Sequence, residues 1–65
     1  SAYATRERLR DERRRLVADV ARRTSKSHRE IQGRINHATR ARSVSSATID
    51  QLERGNAILR RELGR

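Results

Sequence analysis

Apolar residues recur at helical spacing in three stretches of the chain, and hydroxyl-rich clusters separate them. Leu9, Leu16, Val17 and Val20 fall on one face of a helix predicted over 5–23, with Thr5 as its N-cap and Tyr3 closing the near end. Ile31, Ile35 and Ala38 recur at i, i+4 and i+7, which predicts a second helix over 28–40. Its start is marked by Ser27 and Glu30, the S-x-x-E spacing of a capping box, in which each side chain satisfies a backbone N–H left free by the first turn. Gly33 lies off that apolar stripe and weakens the helix by about 1 kcal/mol relative to alanine.

The third stretch is Ile49, Leu52, Asn56, Leu59 and Leu63, whose alternating steps of three and four make a heptad seam with Asn56 as its polar member. Val44 precedes an N-cap expected at Ser45, so the helix is expected to start at Ser45 or Ser46, and Ile49 stands where a hydrophobic staple would meet that valine. The helix is predicted over 45–63, ending at Gly64, a residue suited to the left-handed cap position. The chain has no proline and only three glycines, so the punctuation of an all-β protein is missing. The expected fold is all-α, a small three-helix bundle or a helical hairpin with an N-terminal basic helix, forming one module across residues 1–65.

Size limits what such a chain does alone. With 65 residues and no cysteine, it has neither a large core nor disulfides or thiolate metal sites to staple it, so helix packing or self-association must supply its stability. It opens on Ser1-Ala2 without an initiator methionine, as expected of a module taken from a longer protein. No apolar run approaches the ~20 residues needed to span a bilayer and no signal-peptide pattern appears, so a cytoplasmic location is expected.

Catalysis has little material. His28 and His37 are the only histidines, and their nine-residue separation does not pair them on one side of a helix, so no metal site is expected. Ser27 and His28 are adjacent and point in different directions, with no orienting carboxylate or oxyanion loop in the pattern. Phosphate-loop and dinucleotide motifs are absent. Neither an enzyme nor a cofactor is expected.

Charge separates the candidate functions most sharply. Seventeen basic residues, sixteen of them arginine, stand against eight acidic ones for a net +9, which makes nucleic acid the first partner to consider. Residues 1–23 carry eight basic and four acidic groups, 24–44 five and one, and 45–65 four and three, so the excess lies in the first two thirds. Charge density selects Arg10, Arg13, Arg14, Arg22, Arg23, Lys26 and Arg29 as phosphate contacts. The competing account of the same run is a solvated helix face, because Glu7, Asp11 and Asp19 each precede an arginine by three or four residues. With Tyr3 as the one aromatic, base stacking on single strands has little to use, and duplex or mixed backbone binding is the expectation. The alternative is an interaction or oligomerisation module, with Ile49, Leu52, Asn56, Leu59 and Leu63 as a homodimer seam or as the face docking on a parent or partner protein.

Two resemblances bear on these readings. "VSSATIDQL", residues 44–52, resembles the turn and recognition helix of LacI-type repressors, V-S-x-x-T-V-x-x-V/L, through Val44, Ser45, Thr48, Ile49 and Leu52. That resemblance implies that Ser46, Ala47 and Gln51 face the major groove while Val44, Ile49 and Leu52 hold the turn. The chain departs from the pattern upstream, where Ser43 replaces the turn glycine and Arg42 a buried apolar residue. A longer stretch resembles a helical module of the terminal regions of bacterial DNA helicases and of phage DNA-transaction proteins, an L-V-x-x-x-A-x-x-T-x-K-x-H-x-x-I core followed by A-T-x-x-Q-L. Leu16, Val17, Ala21, Thr24, Lys26, His28, Ile31, Ala47, Thr48, Gln51 and Leu52 carry it. It implies a non-catalytic accessory module that holds DNA or docks on a motor elsewhere in the parent protein.

Overall fold

The computed structural model describes all 65 residues as three helices, α1 over Ala2–Thr24, α2 over His28–Thr39 and α3 over Ile49–Glu62. No strand is present. The helices form an all-α three-helix bundle in which α1, the longest, packs most extensively on α3. No helix is long and apolar enough to cross a membrane.

The helix ends show how local chemistry sets the boundaries. α1 begins earlier than Thr5, because Ser1 caps it by accepting from the Ala4 N–H at 3.2 Å and Ala2 to Ala4 offer nothing that stops a helix. It ends at Ser25, a non-glycine residue in the left-handed region with φ 61°. Ser27 caps α2 as expected, accepting from the Glu30 N–H at 3.0 Å, although only this half of the capping box forms. α2 ends on Arg40, also left-handed at φ 63°. At the far end Gly64 takes φ 75°, and Arg65 N–H to Arg60 C=O with Gly64 N–H to Arg61 C=O makes the Schellman pair expected there.

α3 starts at Ile49, three or four residues beyond the expected Ser46 or Ser45. Thr48 is the N-cap, and its hydroxyl and backbone exchange hydrogen bonds with Gln51 in a complete capping box. The staple moves with it, since Ala47 and Leu52 flank the box and are buried together. Val44, Ser45 and Ser46 instead form a turn whose last N–H is capped by the Ser43 hydroxyl at 3.2 Å. Two backbone donors satisfied reciprocally, plus burial of Ala47, outweigh a serine cap one turn earlier.

The interior has two apolar clusters with a polar waist. Leu16, Val17, Val20, Ile31, Ile35, Leu59 and Leu63 make the larger, and Leu9, Ala47 and Leu52 the smaller. On α2 the buried stripe is Ile31, Ile35 and Thr39, not Ala38, which is exposed. Thr39 is tolerated there because its hydroxyl donates to the Ile35 carbonyl at 2.9 Å.

Between the clusters lies Arg13, whose side chain is buried with the residue only 1% exposed. Its Nε donates to Asn56 Oδ1 at 2.7 Å and its Nη1 to Gln32 Oε1 at 3.3 Å. Asn56 donates in turn to the Leu9 carbonyl at 3.0 Å and to Glu12 Oε1 at 3.1 Å, and Glu12 Oε2 accepts from Arg60 at 2.5 Å. The relay carries the buried positive charge to a half-exposed carboxylate without a direct ion pair. Burial lowers the Arg13 pKa, but a guanidinium keeps its proton inside a protein.

Candidate nucleic-acid interface

Three of the arginines selected from charge density tie the bundle together. Arg13 occupies the waist and is removed from any surface contact, a correction that follows from its position among Leu9, Leu16, Val17 and Val20 on the inward face of α1. Arg10 reaches across to donate to the Ser45 carbonyl at 2.6 Å while also pairing with Glu7, which fastens the segment between α2 and α3 to α1. Arg23 donates to the Leu63 carbonyl at 3.1 Å and fastens the end of α3. Long guanidinium side chains serve this purpose well because their stems cover apolar surface while the head finds a carbonyl.

The remaining four lie on the surface. Arg14 pairs with Asp11 and Arg22 with Asp19 across single turns, yet both arginine side chains stay largely exposed. Such exposed pairs are worth ~0–1 kcal/mol, so an incoming anion competes with them readily. Lys26 and Arg29, where α1 hands over to α2, are exposed and make no ion pair.

Two residues missed by charge density alone complete a row. Arg8, Arg15 and Arg22 are all exposed on α1, and their seven-residue spacing places them in a narrow strip about 10.5 Å apart. Arg8 and Arg15 have no carboxylate within ion-pair distance. The signal was available: Arg8 and Arg15 sit beside the apolar stripe's own seven-residue repeat, Leu9 and Leu16, rather than on it.

Across the molecule, seven ion pairs engage Glu7, Asp11, Glu12, Asp19, Asp50 and Glu62, and Asp19 alone holds two arginines. Hydrogen bonding from Arg65, with added attraction from Arg65 and Arg22, holds the Asp19 carboxyl below the usual range. Arg34 does the same to Glu62 through a two-pronged pair at 2.5 and 2.9 Å, and its own pKa rises in return.

No known family model, curated protein or solved structure matches the chain.

The two resemblances meet the geometry differently. Residues 40–48 separate α2 from α3, well beyond the three- or four-residue turn of a helix-turn-helix. Ala47 is buried beneath Leu9 and Leu52, and Gln51 is engaged by the Thr48 cap and the Arg40 carbonyl, so neither is free to face a groove. Most positions resembling the helicase module are fold-making ones, Lys26 and His28 being exposed. Leu16, Val17, Ile31, Ala47 and Leu52 are buried, Thr24 bonds the Val20 carbonyl, and Thr48 with Gln51 is the capping box.

The seam of α3 also turns inward. Leu52, Asn56, Leu59 and Leu63 are buried within this chain and Ile49 is half-buried, so the seam is the core face of a bundle helix. Asn56 receives Arg13 rather than an asparagine from a second copy. Both histidines are exposed, and no group of three or more His, Cys, Asp or Glu side chains gathers closely enough to hold a metal ion.

Proposed function

We propose that this protein is a non-catalytic nucleic-acid-binding module that grips the phosphate backbone of duplex DNA with the outer face of α1. The observation that carries the reading is the exposed row of Arg8, Arg15 and Arg22, two of them without any carboxylate partner, on a chain of net +9. A straight helix presenting guanidiniums at fixed intervals suits a regular backbone better than a flexible strand. The single aromatic, Tyr3, leaves base stacking without a platform. Lys26 and Arg29 extend the basic surface past the end of the row. The resemblance to terminal modules of DNA helicases favours DNA over RNA and an accessory role in a larger DNA-transaction protein, in which the motor lies elsewhere. The rival reading, assembly through the α3 seam, loses its interface to the core.

The test is fluorescence anisotropy against labelled duplex and single-stranded oligonucleotides at 50 and 200 mM salt. Duplex binding should fall steeply across that range, and the triple variant R8Q/R15Q/R22Q should flatten the salt slope by about 3. Salt-insensitive binding, or a triple variant that binds as the parent does, overturns the reading.

A further inference from the structure

Beside the α1 row lies a groove of about 300 Å3 between α1 and α3, lined by Glu12, Arg15, Leu16, Asp19, Arg60 and Arg65. Its floor is apolar, since Leu16 is buried, and its rim sets three guanidiniums against two carboxylates. The carboxylates are fully engaged. Glu12 accepts from Asn56 with one oxygen and from Arg60 with the other, while Asp19 accepts from Arg22 with Oδ1 and from Arg65 with Oδ2 at 2.8 Å. The guanidiniums are not. Each offers five N–H donors, and Arg60 and Arg65 each spend only Nη1 on their carboxylate, whereas Arg15 makes no hydrogen bond or ion pair. The result is a concave site with satisfied acceptors, surplus donors and one unneutralised cation.

We propose that this groove seats one phosphate group, with Arg15 as its direct ligand and with Arg60 and Arg65 completing the donor set. Glu12 and Asp19 act as positioning residues that hold those two arginines toward the groove. The groove is open to solvent and large enough for a phosphate with part of its hydration. Within the reading of the protein as a backbone-binding module, on which this proposal rests, the groove distinguishes Arg15 from the other exposed arginines. It makes the middle of the row a defined anchor and leaves Arg8 and Arg22 as flanking contacts. A free phosphate or pyrophosphate offers the same chemistry as a backbone phosphate, and the experiment separates the two sources.

Four single variants are compared for duplex affinity at one salt concentration, with circular dichroism confirming that each is folded. Arg15→Gln, Arg65→Gln and Arg54→Gln each remove one positive charge, but Arg54 pairs with Asp50 and does not line the groove. The groove predicts a loss of fivefold or more for Arg15→Gln and Arg65→Gln and less than twofold for Arg54→Gln. Equal losses overturn the proposal and leave general backbone binding standing. Asp19→Asn removes a negative charge, so unspecific attraction alone would tighten binding; loss of positioning weakens it. Tighter binding by Asp19→Asn overturns the positioning role.

The parent protein is also titrated with pyrophosphate while the arginine Nε–H signals are followed by NMR. Shifts confined to Arg15, Arg60 and Arg65 support a self-contained phosphate seat, and they do so even where no oligonucleotide binds and the wider reading has failed. Shifts at those residues with duplex alone support a seat for the backbone. No shift at Arg15 with either probe overturns the proposal.

Discussion

The guanidinium of Arg13 lies against the backbone of Gly55, in the space that a Cβ at that position would fill. An ideal Cβ there would overlap Arg13 Nη2 and come within 2.8 Å of Ile35 Cγ2. The Arg13 head cannot swing away, because it is buried and anchored to Asn56 and Gln32. A glycine in the interior of α3 is therefore the condition for a buried arginine in α1, and the two residues are 42 positions apart in a chain of 65.

Glycine-to-alanine changes should consequently have opposite signs at two helical positions. Gly33→Ala, which meets nothing within 4 Å, should stabilise the protein by roughly 0.5–1 kcal/mol through helix propensity. Gly55→Ala should destabilise it by about 1–3 kcal/mol through overpacking despite the same gain in propensity. Urea unfolding of both variants checks the pair, and a stabilising Gly55→Ala would contradict the Arg13 placement.

Asn56→Leu should be among the most damaging single changes. It leaves Arg13 Nε without its acceptor in a buried site and takes the amide donors from the Leu9 carbonyl and Glu12. The expected loss is about 2–4 kcal/mol, enough to unfold much of so small a domain. Adding Arg13→Met should recover most of it, since replacing both partners of a buried polar pair by apolar groups is often neutral or better. A thermal double-mutant cycle reads the coupling, and additive losses would show that the two side chains do not act as one unit.

Ser25 ends α1 with a left-handed backbone that a side chain disfavours. Its side chain makes no hydrogen bond that a substitution would remove. Ser25→Gly should raise stability by about 0.5 kcal/mol, and Ser25→Val, β-branched in the same conformation, should lower it by about 1 kcal/mol. The order of the three melting temperatures is the measurement.

Acid should weaken the bundle through Glu62 and Asp19, whose carboxyls are held below their usual pKa by Arg34 and by Arg65 with Arg22. For a depressed carboxyl, the unfolded chain binds the proton first. The stabilisation is therefore complete above the unfolded value near 4 and is lost as pH falls through the lower folded value. Glu62→Gln should flatten the fall of stability below pH 4 while leaving the pH 5–7 region without slope, as followed by urea midpoints at each pH. An unchanged acid limb would remove Glu62 from that account.

Local chemistry made much of this molecule legible in its sequence. The three apolar stripes, the Ser27 cap and the Gly64 terminus depend on spacing within a turn or two, so the number and approximate extent of the helices follow from the chain alone. The offset at α3 arises because serines and a threonine compete as caps along 43–48 and each is locally adequate. The contest is decided by burying Ala47 on Leu9, which belongs to another helix.

The fate of the arginines was legible only in part: the single-turn pairs of Arg10, Arg14 and Arg22 follow from spacing, but the long-range anchors do not. A helix wheel shows that Arg13 lies on the apolar side of α1, but only packing supplies Asn56, Gln32 and the bare Gly55 backbone that make its burial tolerable. Charge along a sequence is additive, whereas a guanidinium's availability depends on which acceptor it meets in three dimensions. Local spacing and composition suffice for an all-α chain with a strong excess of positive charge. Packing alone makes Arg10, Arg13 and Arg23 hold the bundle together, because their acceptors on Ser45, Asn56 and Leu63 come from distant parts of the chain, while Arg8 and Arg15 face outward without a carboxylate.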